Sequence, residues 1–420
     1  MTTETVGEES ALQIYWVNQY AVPPDQPGGS RHFDFAIELG RRGHHVRLIA
    51  SDLNLSTRTY SRRPSSWSLR SRQEQVRGVE FSWLTAGNYD SNNWRRVASM
   101  LIFGLAAFGH LLRVRRNDRT VFIGSSPHLF AALGTWAAAR LRRVPFVFEV
   151  RDMWPESYSA VSGNETGPQV VILRWIADLL YRRATAIIVL AASNRDRIAD
   201  RGIRSDKIAL IPNGVAINAF VASSVGTDIS APDAFTFVYA GAHGPANDLE
   251  VVIRAAHDLE KRGRTDIRVV LLGDGSTKPQ LIALARELEL SNVAFVDPVP
   301  KDQVAGTLRT ADAALMILAP VDLFTFGVSP NKLFDYLGAG LPVLTNVAGL
   351  VSKIVADADV GFTVAPGDPG ALADGMERMA DDPPEGTAER GEAYVRANHD
   401  RRSLAIAVED LLLPLVSPQN

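Results

Sequence analysis

The chain has 420 residues, 46% of them hydrophobic, and no cysteine. This length and composition favour two domains with sizeable cores, and the lack of thiols excludes disulfides and thiolate metal sites. The net charge of −3 conceals an asymmetry: residues 1–213 hold 28 Lys and Arg against 19 Asp and Glu, and the remainder holds 16 against 28. A basic half suits an anionic partner such as a phospholipid surface. Two oppositely charged domains that attract each other explain it equally well.

The first ten residues, MTTETVGEES, are polar and acidic. They lack the basic and apolar regions of a secretory signal, so we interpret them as a disordered tail. Nothing in the chain needs an oxidising compartment, which favours a cytoplasmic protein.

Short apolar runs alternate with amphipathic stretches, a pattern typical of βα units around parallel sheets. Predicted strands of the first half are residues 12–17, 46–50, 120–123, 145–150, 186–190 and 208–211. Those of the second half are residues 235–240, 268–272, 293–296, 313–318, 342–344 and 361–364. The small and polar residues 214–234 between the two series predict an interdomain linker. The ending RRSLAIAVEDLLLPLV predicts a final helix.

Two segments of the first half depart from this pattern. Residues 57–77 hold six arginines and one acid, with Tyr60 and Trp67 between them, and predict an exposed basic loop. The next segment, WRRVASMLIFGLAAFGHLLRVRR, has an apolar centre flanked by arginines but is too short to span a membrane. It predicts either a buried helix or one that lies at a membrane interface.

A glycine turn follows the first strand, in VPPDQPGGSRHFDF. Gly28 and Gly29 precede a helix for which Ser30 is the predicted N-cap. Such a turn lets backbone N–H groups approach an anion at the positive end of the helix. Packing alone also selects glycines in such turns.

The stretch FGVSPNKLFDYLGAGLPVLTN predicts a phosphate site. Ser329 and Pro330 are expected at the N-cap and first position of a helix, which directs Asn331, Lys332 and the first amides toward an anion. Lys332 is one of six lysines in the chain, and a compact ammonium suits a phosphate oxygen. Asp335 follows on nearly the same face, where it can accept hydrogen bonds from a ribose diol. An ordinary surface Lys–Asp pair is the alternative.

A cluster of ionisable residues, in EVRDMWPES, follows a strand of the first half. Glu149, Arg151 and Asp152 are candidate catalytic residues, because carboxylates paired with arginine can orient a hydroxyl nucleophile. A structural ion-pair cluster is the alternative. No His cluster with metal-ligand spacing and no G-x-S-x-G elbow is present, so neither a metal site nor a serine nucleophile is expected.

The motifs occur in an order that resembles retaining glycosyltransferases of the group 4 family, near the WbuB-like branch that builds bacterial surface polysaccharides. The similar strings include GGSRHFDFAIELGRRGHHV, IGSSPHLFAALGTW, IPNGV, FVYAGAHGPANDLE, LLGDGSTKPQL and SPNKLFDYLGAGLPV, and they span almost the whole chain. The resemblance implies an α/β fold of GT-B type, with two Rossmann-like doubly wound domains facing a central cleft. Residues 1–213 would bind the acceptor, residues 214–399 would bind the nucleotide sugar, and residues 400–420 would cross back as a helix.

The resemblance also implies roles for individual residues. Donor-binding positions are expected at Gly28, Gly29, Asn213, Gly241, His243, Val299, Pro330, Asn331, Lys332 and Asp335. The donor would be a nucleotide-diphosphate sugar with uridine as the expected base. The acceptor would be a hydroxyl of a glycan, a lipid-linked sugar or a natural product. No metal, other cofactor or nucleic acid is expected, and the basic half would contact the inner membrane face peripherally.

Two departures from the family pattern matter. The family has two glutamates spaced as E-x7-E, whereas this chain has Gly327 in the first position and Asp335 in the second. The family's frequent basic pair after the first strand of the second domain is replaced by GAHGPAND, which offers His243 and Asn247. A sugar-nucleotide epimerase on the same fold, or a non-catalytic homologue that binds a membrane or polyanion, therefore stays open.

Overall fold

The fold is given by a computed structural model that describes residues 11–53, 71–87, 94–157, 159, 166–321 and 328–416. The chain divides into two compact units, one made of Met1–Pro23, Gly28–Pro212 and Arg401–Asn420, the other of Pro24–Pro27 and Asn213–Asp400. The acidic tail at residues 1–10, residues 57–70 of the basic segment, and Gly327 lie outside the described residues.

The first unit is built on a sheet of eight strands in the order β3-β4-β2-β1-β5-β6-β7-β8, in which β3 runs antiparallel to β4 and the other pairs are parallel. The strands are β1 (Gln13–Val17), β2 (His45–Ser51), β3 (Arg72–Val76), β4 (Val79–Leu84), β5 (Thr120–Ser125), β6 (Phe146–Val150), β7 (Ala186–Val189) and β8 (Ile208–Leu210). The six strands predicted in this half are confirmed.

The hairpin β3–β4 is the element that the sequence pattern missed. Residues 57–77 were predicted to be a loop, and for residues 72–76 this is wrong, because they pair with β4 along the sheet edge. Arg77 and Gly78 both have positive φ, 48° and 87°, as the turn of a tight hairpin requires. The polar sequence RQEQV of β3 is compatible with an edge strand that is mostly exposed.

Helices cover both faces of the first sheet. They are α1 (Arg31–Arg41), α2 (Trp94–Leu111), α3 (Leu129–Arg142), α4 (Pro168–Arg183) and α5 (Ala192–Ala199). Along β1, Tyr15 and Val17 pack into one core, and Ile14 and Trp16 pack into the core on the opposite face. This alternation is the reason that the strand is apolar throughout.

The helix α2 corresponds to the segment that the sequence left open between a buried and an interfacial helix. Phe103 and Ala107 are fully buried, whereas Leu101 and Leu105 on the other face are exposed. The helix therefore has one core-facing side and one apolar side that faces outward. Within the described ranges, no helix is long and apolar enough to cross a bilayer.

The last helix, α14 (Arg401–Val416), packs on the first unit, as predicted, and contacts α1. The buried residue His44 accepts a hydrogen bond from the Leu12 amide at 3.1 Å and binds Glu409 of α14 at 2.8 Å. It therefore links α14 to the residue that precedes β1. Arg42 also pairs with Glu409. The apolar residues Leu404 and Leu412 of α14 complete the core against β1.

The second unit has a sheet of six parallel strands in the order β11-β10-β9-β12-β13-β14. They are β9 (Phe235–Ala240), β10 (Ile267–Leu272), β11 (Val293–Val296), β12 (Ala313–Met316), β13 (Val343–Thr345) and β14 (Gly361–Thr363), which confirms the six predicted strands. The helices are α6 (Ile217–Ala222), α7 (Leu249–Lys261), α8 (Lys278–Glu287), α9 (Val304–Leu308), α10 (Asn331–Ala339), α11 (Leu350–Asp357), α12 (Pro369–Asp381) and α13 (Thr387–Asn398).

The segment 214–234, predicted to be a linker, is part of the second unit. It begins with the short helix α6, whose Ile217 and Phe220 are buried against α10. At Gly226 a β-carbon would stand 2.2 Å from the Thr307 amide nitrogen, so this part of the chain is tightly packed. The prediction of a linker is therefore wrong, because a few apolar residues among the small ones suffice to fix the segment.

Candidate functional site

In parallel sheets covered on both faces, ligands bind at the edge formed by the carboxyl ends of the strands. At that edge of the second sheet, the loops after β9 and β10 interlock. The Gly241 amide donates to the Leu272 carbonyl at 2.9 Å, and the His243 amide donates to the Asp274 carbonyl at 2.8 Å. A β-carbon at Gly273 would lie 1.9 Å from the Gly241 carbonyl oxygen. The glycines thus permit a close approach of the two loops.

His243 is fully buried in this pair of loops, and neither ring nitrogen has a hydrogen-bond partner among the described residues. Burial, together with the nearby charge of Lys278, lowers the pKa of His243 to about 4. The ring is therefore neutral at pH 7 and carries one N–H that can be donated. The predicted role of His243 as a donor to the substrate stays a prediction.

Lys332 extends from the first turn of α10 toward the same loops. Its Nζ donates to the Tyr239 hydroxyl and to Asn247 Oδ1, both at 2.8 Å, and lies 4.2 Å from the centre of the Tyr239 ring. Tyr336 Oη, on the next turn of α10, accepts from the Ala240 amide at 2.9 Å and ties the helix to β9. The lysine thus brings a cation to the loop in which the sequence lacks the family's basic pair.

Burial lowers the pKa of Lys332 to about 7. Its two hydrogen-bond acceptors in the described part of the chain, Tyr239 and Asn247, are neutral groups. An anion beside the ammonium would supply the negative charge that these neutral groups lack, and would raise the pKa of Lys332.

Anion binding at Lys332 is therefore expected to be coupled to proton uptake. Below pH 7 the lysine is already charged, so affinity for a phosphate ligand should be constant. Above pH 7 the ligand must bind together with a proton, and affinity should fall by up to about tenfold per pH unit. Calorimetry at pH 8 in two buffers of different ionisation enthalpy measures the uptake. Lys332→Arg is the control, because an arginine stays charged and should remove the pH dependence.

Asp335 and Lys301 form an ion pair that the sequence did not predict. Lys301 begins a short 3-10 helix, Lys301–Gln303, after β11, and its Nζ lies 2.5 Å from Asp335 Oδ2. Both side chains are largely buried, with 15% and 12% of their surface exposed. Val299, predicted to lie near a base, precedes this turn and packs against the core of the unit. The pair is 34 residues apart, so no local pattern reveals it.

The start of α10 differs from the prediction. Pro330 rather than Ser329 occupies the N-cap position, and no side chain caps the helix. The Ser329 hydroxyl instead accepts from the Asn213 amide at 3.2 Å, and Asn213 Nδ2 donates to the Ser329 carbonyl at 2.5 Å. Asn331 opens the helix and is partly exposed. The first backbone amides of α10 are therefore not hydrogen-bonded to a capping side chain.

The Gly28–Gly29 loop of the first unit is exposed and leads directly into α1. Gly28 has a φ of +144°, and a β-carbon there would lie 2.7 Å from Val22 Cγ2. Ser30 stands at the N-cap position, but its hydroxyl donates to Asp34 Oδ2 at 2.7 Å and caps no amide. The predicted capping by Ser30 is therefore wrong, whereas the glycine turn before a helix is confirmed.

Glu149 is the centre of a buried network in the first unit. It is fully buried and accepts from Arg31 Nε and His32 Nε2 at 2.8 Å, and from Ser125 Oγ at 2.5 Å. Trp16 Nε1 donates to it at 3.2 Å. These partners come from β1, β5 and α1, so the carboxylate ties the strand ends to the helix that follows the glycine loop.

The charges in this network are balanced. Burial raises the pKa of Glu149, but His32, which donates a hydrogen bond to it, and the charge of Arg31 keep that pKa well below its usual value. Burial lowers the pKa of His32 to about 4, so this ring is neutral and donates its Nε2–H to Glu149. Arg31 also donates to the carbonyls of Pro212 at 2.6 Å and Ile211 at 3.0 Å. The predicted catalytic role of Glu149 stays untested, and its geometry is that of a residue that positions others.

Arg151 and Asp152 lie just beyond β6, where their amides both donate to the Ser126 hydroxyl, at 2.9 and 3.2 Å. Asp152 is exposed and Arg151 is partly buried. The predicted cluster is therefore divided: Asp152 is an exposed residue, although burial of its carboxyl raises the pKa of that group, whereas Glu149 is fully buried.

His128 is a candidate that sequence reasoning missed. It is buried, and its Nδ1 accepts from the Ala131 amide at 2.8 Å at the start of α3. The ring proton is therefore on Nε2, which has no hydrogen-bond partner among the described residues. Burial lowers the pKa of His128 to about 3, so the ring is neutral. A histidine directly after a strand and before a helix, in SSPHLF, is the signal that could have identified it.

Two units, each built on a mainly parallel sheet that packs against helices, are the architecture of the GT-B class of glycosyltransferases. A glycosyl transferase 4-like domain model matches residues 30–214, and a glycosyl transferases group 1 model matches residues 229–397. The chain therefore belongs to the group 1 glycosyltransferases with a 4-like N-terminal domain, and it is an enzyme that transfers a sugar.

Relatives with assigned activities support this family. The D-inositol 3-phosphate glycosyltransferase of Corynebacterium aurimucosum is 23% identical over 89% of this chain and 89% of its own length. That of Streptomyces avermitilis is 28% identical over 59% of this chain, and the match spans 55% of that relative.

Solved structures share the fold. Sucrose-phosphate synthase from Thermosynechococcus elongatus superposes with a TM-score of 0.73 at 15% identity, over 97% of this chain and 100% of that chain. Anabaena HepE in complex with UDP-glucose superposes with a TM-score of 0.66 at 15% identity, over 95% and 98% of the two chains.

Proposed function

We propose that this glycosyltransferase takes its sugar from a nucleotide diphosphate, with uridine as the base, and transfers it with retention at the anomeric carbon. The observation that carries the proposal is the position of Lys332, which reaches from the uncapped start of α10 to Tyr239 and to Asn247 in the loop after β9. A cation, helix amides and close-packed glycines are the groups that bind a diphosphate. The complex of the HepE neighbour with UDP-glucose supports this choice.

The mechanism follows from the charge that develops on the departing diphosphate. Lys332 and the first amides of α10 would stabilise that charge, so the chain's own groups can take the role that a metal ion has in other transferases. We therefore propose a metal-independent reaction. Transfer that persists in the presence of a chelator would support it, and transfer restored by added divalent ions would contradict it.

The acceptor is proposed to be a hydroxyl of a glycan, a lipid-linked sugar or a natural product, bound by the basic first unit. His128 would donate its free Nε2–H to a substrate hydroxyl, because it is a buried donor without a partner among the described residues. Asp152 is the exposed carboxylate at the same sheet edge. A protein acting on a lipid-linked acceptor would contact the cytosolic membrane face peripherally.

A thermal-shift panel of nucleotide sugars tests the donor. A ligand at a hundred times its dissociation constant should stabilise the folded state by about 2.7 kcal/mol. No stabilisation by any nucleoside diphosphate would contradict the proposal.

Incubation of the donor without an acceptor distinguishes a transferase from the epimerase alternative, because an epimerase still converts the donor. Transfer by the purified chain removes the non-catalytic alternative.

Lys301 is expected to act with Asp335 in binding the ribose. The carboxylate can accept from one ribose hydroxyl while the ammonium neutralises it and donates to the other. Lys301→Met should weaken binding of uridine diphosphate by about tenfold or more. Lys353→Met is the control, because Lys353 also pairs with an aspartate, Asp357, but on the exposed face of α11. Titration calorimetry measures both, and an unchanged affinity in Lys301→Met would refute the assignment.

A further inference from the structure

Large exposed apolar side chains concentrate on one layer of the first unit. Three helices, α2, α3 and α4, pack into the same core on the same face of the first sheet. Most of the large exposed apolar side chains of the described residues lie on them: Val97, Leu101, Ile102, Leu105, Leu141, Val171, Ile172 and Trp175. Leu105 is 71% exposed and Trp175 is 63% exposed. We call these eight residues the apolar face.

The orientation of α2 is fixed by its packing. Val97, Leu101 and Leu105 are four residues apart and share one side of the helix. On the other side, a β-carbon at Gly104 would lie 2.7 Å from the Phe130 carbonyl oxygen of α3. The backbones are thus in close contact, and α2 cannot rotate its exposed leucines into the core.

The helix α4 presents a second apolar stripe. Val170 and Ile176 are buried in the core, whereas Val171, Ile172 and Trp175 point outward. The helix α3 contacts both α2 and α4. The two stripes therefore flank α3 on the outer side of one helical layer.

The charges around the apolar face are almost all positive. The helices α2 and α3 contain no acidic residue, and in α4 Asp178 is paired with Arg201 at 2.9 Å. Arginines stand on these helices and just beyond α2: Arg95, Arg96, Arg113, Arg115, Arg116, Arg140, Arg174, Arg182 and Arg183, whereas Arg142 donates to the carbonyls of Leu112 and Val114. Apolar residues surrounded by basic ones are typical of helices that lie in the headgroup region of a bilayer.

We propose that the apolar face docks on a bilayer that contains anionic lipids, with α2 and α4 lying in the interface. Leucine, valine and tryptophan side chains enter the acyl boundary, and the arginines contact lipid phosphates. A second copy of the chain fits less well, because a symmetric contact would bring two arginine-rich surfaces together. This deepens the membrane contact in the proposed function, on which it rests, and assigns it to a surface of folded helices.

Vesicle sedimentation with the full chain tests the proposal. Wild type should bind phosphatidylcholine vesicles that contain phosphatidylglycerol, and binding should weaken with added salt. Leu105→Glu and Trp175→Glu should each lower the partition coefficient by about tenfold or more, because an apolar group is lost and an acid is added. Both side chains are exposed, so the variants should keep the thermal stability of wild type.

Leu210→Glu and Val225→Glu are the matched controls, since both residues are exposed but lie outside the apolar face. They should bind vesicles as wild type does. Three results would overturn the proposal: no vesicle binding by wild type, equal losses in controls and test variants, or a wild-type dimer that Leu105→Glu dissociates. Vesicle binding by a chain that no nucleoside diphosphate stabilises would instead overturn the proposed donor and leave the docking surface in place.

Discussion

Lys332→Ala is expected to lower turnover by about a hundredfold or more. Removing one donor that stabilises developing charge typically costs about 2.7–4 kcal/mol in the transition state, and each 1.36 kcal/mol corresponds to about tenfold in rate. Lys332 contacts neutral groups in the described residues, Tyr239 and Asn247, so its removal leaves no carboxylate unpaired there. The fold should therefore survive the substitution.

Steady-state kinetics and thermal unfolding of the same preparation test this prediction. Lys332→Arg keeps the charge but not the compact ammonium, so it should recover part of the activity. Lys353→Ala, on an exposed surface, should have wild-type kinetics. Near-normal turnover of Lys332→Ala would refute the assignment of Lys332 to the diphosphate site.

Glu149→Ala is expected to destabilise the first unit by about 3–5 kcal/mol, because it leaves the buried Arg31 without its counter-charge. Loss of the hydrogen bonds from Ser125, His32 and Trp16 adds unsatisfied donors. For a unit of this size the melting temperature should fall by about 2–4 °C per kcal/mol. Differential scanning calorimetry of the full chain measures it.

Glu80→Ala is the control for this variant, because Glu80 pairs with Arg47 at an exposed site on the same sheet. Exposed pairs contribute about 1 kcal/mol or less. A stability loss for Glu149→Ala that is no larger than for Glu80→Ala would show that the buried network does not hold α1 to the strand ends.

The sheets were predictable because their strands are apolar on both faces. In β9 and β10 most residues are buried, so a short apolar run between polar turns is sufficient to identify them. The hairpin β3–β4 was missed because β3 is exposed and polar, and its stability comes from pairing with β4 rather than from its own composition.

The candidate site was predictable where its residues lie in one motif. Lys332 and Asp335 share the first turns of α10, so their proximity follows from helical spacing. Contacts between distant segments were not predictable: Lys301 reaches Asp335, and Asn213 binds Ser329, across 34 and 116 residues. Nor could the sequence show that Glu149 is enclosed, because EVRD is equally compatible with an exposed cluster.

The packing of α14 on the first unit has a consequence for the order of folding during synthesis. The core beside β1 includes Leu404, Ala405, Val408 and Leu412 of α14, which leave the ribosome after every strand of both sheets. The second unit is contiguous from Asn213 to Asp400 apart from Pro24–Pro27, so it can fold while the first unit still lacks α14. The domain that is synthesised first is therefore the one completed last, and a nascent chain stalled before residue 401 should leave that core open to chaperones or proteases.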